Sequence, residues 1–82
     1  MALDTAAVLA GLADIIAEET GLATSEVDLA KTFAEDLDID SLSMMTIVTL
    51  AEDQFSVEIP DEAIKDLTTV GDAVNFIVAA QS

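Results

Sequence analysis

At 82 residues the chain has room for one small domain, in which folding buries roughly 60% of the surface of the unfolded chain. Seventeen acids against Lys31 and Lys65 give a net charge of −15, which disfavours nucleic acid and anionic membrane surfaces and points to basic partners, or simply to solubility. With no cysteine and no histidine there is no disulfide, no protein thiolate and no imidazole base or ligand, and zinc lacks its usual donors.

The chain opens with Val8, Leu12, Ile15 and Ile16 at helical spacing, with acids on the other faces. Asp4 or Thr5 can cap this helix and Gly21 can stop it, so a helix is predicted from about Asp4 to Thr20. The start has no basic segment and is interrupted by Asp4 and Asp14, and no stretch approaches the ~20 apolar residues of a membrane span. A cytoplasmic protein without membrane insertion is the expectation.

Residues 21–40 follow without sustained periodicity, a connection unusually long for a compact domain. Leu22, Val27, Leu29, Phe33 and Leu37 recur along it as anchors, so an ordered loop is expected, with one short helical turn near Ser25 to Leu29. A second helix is predicted from Ser41 to about Phe55, with Leu42, Met45, Val48 and Phe55 on its apolar face and Met44, Ile47 and Leu50 widening it. So broad an apolar surface means a central helix or one that meets a partner.

Pro60-Asp61 signals a short third helix, with Ile64 and Leu67 on one face. Thr69 and Asp72 form a capping-box pattern before a last helix carrying Val70, Ala73, Val74 and Ile77. The predicted fold is all-α: a small four-helix bundle of three main helices and one short one, with a long ordered loop between the first two.

The segment DLDIDSLSMM, residues 36–45, gathers three aspartates beside a serine. Asp36, Asp38 and Asp40 match the opening of a calcium loop, but Ser41 stands where that loop needs glycine and Ile47 where it needs a bidentate glutamate. No metal site is expected. A catalytic serine needs a base and an orienting group, which a chain without histidine scarcely supplies, so no enzymatic residues are assigned. Two readings of Asp40-Ser41 stay open: a plain helix N-cap, or a serine that carries something at an exposed first turn.

The stretch from Glu35 to Glu62, EDLDIDSLSMMTIVTLAEDQFSVEIPDE, followed by LTTVGDAVNFI, resembles acyl carrier proteins over essentially the whole chain. The family's recurring elements stand as Asp40-Ser41-Leu42, Phe55, Ile59-Pro60-Asp61 and Thr69-Val70-Gly71-Asp72. The wording around Ser41 is most similar to the discrete fatty-acid-synthase carriers of actinobacteria.

The resemblance implies that residues 1–82 form a single phosphopantetheine-attachment domain. It also implies that Ser41, flanked by Asp40 and Leu42, receives 4′-phosphopantetheine from coenzyme A through a phosphopantetheinyl transferase. Acyl chains would then ride as thioesters between enzymes of type II fatty acid synthesis, on a monomeric, non-enzymatic carrier. The docking face for basic patches on those enzymes would comprise Asp36, Asp38, Asp40, Leu42, Met45, Glu52 and Asp53. The acyl-chain pocket would be drawn from Phe33, Met45, Val48, Ile59, Ile64, Leu67 and Ala73. Two positions depart from the family pattern: Asp38 where glycine is common, and Thr46 where a glutamate is common. Rival readings are a discrete polyketide carrier and, from another class, an acidic helical adaptor or weak cation binder without cofactor.

Overall fold

The computed structural model describes residues 3–81. Helix α1 spans Thr5–Thr20, α2 spans Ser41–Phe55, α3 is a single turn at Asp61–Ile64, and α4 spans Val70–Ala80. A 3₁₀ turn at Thr24–Glu26 lies in the long connection, slightly ahead of its predicted place. The four-helix, all-α architecture is the predicted one.

The caps explain where the helices begin. Asp4 accepts a hydrogen bond from the Ala7 amide, and Asp40 from the Ser43 amide, at 2.9 and 2.8 Å. Thr69 and Asp72 form the reciprocal box at the start of α4. Each pairs amide donors that a helix start otherwise leaves without partners. At the other end of α1, Gly21 takes the left-handed conformation (φ 80°) and donates to the Ala17 carbonyl, the stop that its lack of a Cβ permits.

Helix α1 packs against both α2 and α4. Its buried stripe is Val8, Leu12, Ala13, Ile15 and Ile16, and that of α4 is Val70, Ala73, Val74 and Ile77. For α2 the buried stripe is Ile47, Val48, Ala51 and Phe55, not the predicted Leu42 and Met45. Leu42 is 81% exposed, and Met45 and Leu50 are also solvent-facing. The reason is angular: at 100° per residue, Leu42 lies nearly opposite Ala51, so a helix apolar almost all round must turn part of that surface outward.

The long loop is held by side chains and by backbone. Val27, Phe33, Leu37 and Ile39 are buried in the core, and Leu22 packs against it. Leu29 is not a side-chain anchor, being 41% exposed, but its carbonyl accepts from the Gly71 amide at 3.0 Å. The Val70 amide likewise donates to the Lys31 carbonyl, and the Phe33 amide to the Thr68 carbonyl, around a single antiparallel bridge between Thr32 and Thr69. The first amides of α4 are thereby satisfied by the loop, and the loop is fixed beside α3 and α4.

Candidate functional site

Ser41 is the first residue of α2, and Asp40 immediately before it is the cap. With its carboxylate engaged by the Ser43 amide and hydroxyl, Asp40 has a pKa below the ordinary aspartate value. Ser41 itself is exposed, and its hydroxyl makes no hydrogen bond among the described residues. A capping residue locks one side chain; the next position leaves its hydroxyl pointing to solvent and open to modification.

Ser41 stands at a groove of about 450 Å³. Its lining comes from the start of α2, with Met44 and Met45, from Ile64, Lys65, Leu67 and Thr68 in and after α3, and from Phe33, Ala34 and Ile39 of the loop. From Ser41 the positions i+3, i+4 and i+7 are Met44, Met45 and Val48, so the helix carries a continuous apolar track inward from the hydroxyl.

Sharing Phe33, Met44 and Leu67 with the groove is a second, smaller space of about 10 Å³ lined by core residues. The residues expected to form one chain pocket divide between the two. Met45 and Ile64 line only the groove, Val48, Ile59 and Ala73 only the inner space, and Phe33 and Leu67 line both. Met44 also lines both and was missed as a pocket residue, although its i+3 spacing from Ser41 could have found it. A space that size holds no more than about one water, so an acyl chain reaching it would have to displace the Phe33, Met44 and Leu67 partition. A thioether chain is well suited to move, having three rotatable bonds and no branching.

The expected docking acids differ in what they are free to do. Asp36 is tied to Thr32: the Thr32 amide donates to its carboxylate at 2.8 Å and the Asp36 amide to the Thr32 hydroxyl at 3.0 Å. The Thr32 amide is the main cause of a lowered Asp36 pKa, with the Thr32 hydroxyl and Lys31 adding to it. Glu52 accepts from the Ile59 amide at 2.8 Å, so it braces the turn after α2 and is only half exposed. Asp38 and Asp53 are exposed, and neither side chain is hydrogen-bonded among the described residues. Leu42 and Met45 lie on the same outer side of α2 as Asp53, with exposed Thr46 and Thr49 between them, so that side runs from apolar at its start to acidic near its end.

The exposed, uncommitted hydroxyl and the apolar groove leading from it fit a phosphate-linked arm at Ser41. No group of three or more carboxylates placed to hold a metal occurs among the described residues. No helix among the described residues is long and apolar enough to cross a membrane.

Comparison with known proteins gives the same direction. The family described as the phosphopantetheine attachment site matches residues 10–77. An acyl carrier protein of Beutenbergia cavernae is 63% identical over 82 residues, covering all of both chains. Another, from Arthrobacter sp., is 67% identical over 75 residues, which is 92% of this chain and 93% of the relative. Among solved structures, that of the acyl carrier protein from Enterococcus faecalis superposes with a TM-score of 0.79 at 35% identity, over 95% of this chain and 99% of the other.

Proposed function

This chain belongs to the acyl carrier protein family, and from that premise we propose that Ser41 is its attachment point and type II fatty acid synthesis its pathway. Membership makes it a carrier rather than an enzyme, with 4′-phosphopantetheine as its prosthetic group. That group supplies a terminal thiol on which acyl chains are held as thioesters, so a chain without cysteine needs none of its own.

The observation that carries the reading is the exposed, unbonded hydroxyl of Ser41 at the mouth of an apolar groove. Asp40 sets the start of α2 so that Ser41 projects from its first turn, and Met44 and Met45 offer an apolar path beside it. Residues 1–82 then act as one domain that presents the arm. Asp38, Asp53 and the outward Leu42 and Met45 form the contact surface for basic enzymes, while Asp36, Asp40 and Glu52 shape the backbone beneath it. Hiding methylenes from water, at about 0.8 kcal/mol each, is the drive for a chain to enter the groove and open the inner space.

Reconstitution with the separate enzymes of a fatty acid synthase tests the pathway. Wild-type protein charged by the transferase should support chain elongation, and Ser41→Ala should support none while keeping its helical circular dichroism. Elongation by polyketide enzymes alone would overturn the pathway and leave the carrier role standing.

A further inference from the structure

We propose that Lys65 is a positioning residue that holds the phosphodiester of a Ser41-borne arm towards the groove, so that the arm lies along Ile64 and Leu67 instead of extending into solvent. The inference rests on the reading of Ser41 as the attachment point. Ser41 and Lys65 both line the groove, one from the first position of α2 and the other from the C-terminal cap of α3. A phosphodiester carries a negative charge at neutral pH, and the other charged residues of that groove, Glu35 and Asp40, are acids. Exposed Asp38 lies between them in the chain, so an anion at Ser41 enters a setting that repels it.

The usual remedy, a helix start, is largely spent. The Ser43 amide donates to Asp40, and the Leu42 amide also acts on the same carboxylate and lowers its pKa. The attractive charge left in the groove is the Lys65 ammonium. It is exposed and without a hydrogen bond or ion pair among the described residues, on a flexible four-carbon stem. The other lysine, Lys31, does not line the groove and acts on Asp36. An exposed pair of this kind is weak and reversible, which suits an arm that must leave the groove whenever an enzyme takes the cargo.

The test uses the holo protein, with the adduct on Ser41 first verified by intact mass and peptide mapping. Nuclear Overhauser contacts from the two methyl groups of the arm to the Ile64 and Leu67 side chains are then compared for wild type, Lys65→Gln and Lys65→Arg. Wild type and Lys65→Arg should show these contacts, and Lys65→Gln should lose about 1.4- to fivefold of their intensity, the range an exposed ion pair supplies. Molar sodium chloride should do the same to the wild type, so the proposal does not depend on how Lys65→Gln folds. Contacts unchanged by both the substitution and salt, or absent from the wild-type holo protein, would overturn the role of Lys65 and leave the attachment intact. Absence of an adduct on Ser41 would instead refute the attachment reading, and the inference with it.

Discussion

Asp40 and Ser41 divide one task between neighbours: the aspartate fixes the first turn of α2 and the serine stays free. Asp36 and Asp72 work as Asp40 does, their carboxylates accepting from backbone amides of Thr32 and Thr69. All three have pKa values held below the ordinary one, the leading cause being those amides or, for Asp40, that of Ser43. The folded chain therefore binds fewer protons at these positions than the unfolded chain. Their stabilisation is complete above the unfolded value of about 3.9 and is lost as pH falls through the lower folded values. The amide proton resonances of Thr32, Ser43 and Thr69 should accordingly shift as pH drops below about 4. Flat resonances through that range would contradict the assignment. Removing a neutral cap gives a second check: Thr69→Ala takes the acceptor from the Asp72 amide and should cost about 1 kcal/mol in denaturant unfolding.

At the scale of elements, the loop of residues 21–40 and the start of α4 form one unit, and Gly71 shows how tightly. A Cβ there would lie 2.9 Å from the Leu29 carbonyl oxygen, a backbone atom that cannot swing away. Gly71→Ala should break the Gly71–Leu29 hydrogen bond and destabilise the fold by about 1–3 kcal/mol, as overpacking does, with faster amide exchange at Gly71 and Val70. Unchanged stability and exchange would mean the loop is not held there. The helices and their caps were legible in the sequence because Asp4, Asp40, Thr69 and Gly21 act on residues within four positions of themselves. The bridge of Thr32 to Thr69 was not, since its partners are far apart in the chain and joined by backbone groups that every sequence has. For the same reason Leu29 reads as an apolar anchor when its part is that of a carbonyl accepting from the Gly71 amide of α4. Periodicity alone does not say which side of so broadly apolar a helix turns outward, whereas the family resemblance already put Leu42 and Met45 on a docking face; the split of the expected pocket into groove and inner space depends on how Phe33, Met44 and Leu67 meet. Ser41 stands out as the proposed attachment point only through the family pattern around it, since the residues alone favour a plain helix cap. Asp38 takes a left-handed backbone (φ 53°), a conformation that glycine, asparagine and aspartate adopt more readily than other residues.

For the whole molecule, a net charge of −15 has two opposed consequences. It strains the compact state by self-repulsion and it draws basic partners. Raising sodium chloride from about 0.01 to 1 M shortens the screening length from about 30 to 3 Å, so Tm should rise while the transferase's kcat/KM falls. Changing the two docking acids without a side-chain hydrogen bond among the described residues, Asp38→Asn, which keeps a residue suited to the left-handed backbone, and Asp53→Lys, should lower kcat/KM with Tm unchanged or higher; a lysine at Glu52 would also release the Ile59 amide and confuse the result. Equal kinetics for wild type and the double variant would remove these acids from the docking face. Intact mass spectrometry after incubation with coenzyme A and a phosphopantetheinyl transferase, followed by peptide mapping, is the direct test of attachment at Ser41. A single phosphopantetheine adduct on the peptide containing Ser41 is the predicted result. An unmodified chain, beside a control carrier modified in the same tube, would contradict it and leave Asp40-Ser41 as no more than the start of a helix.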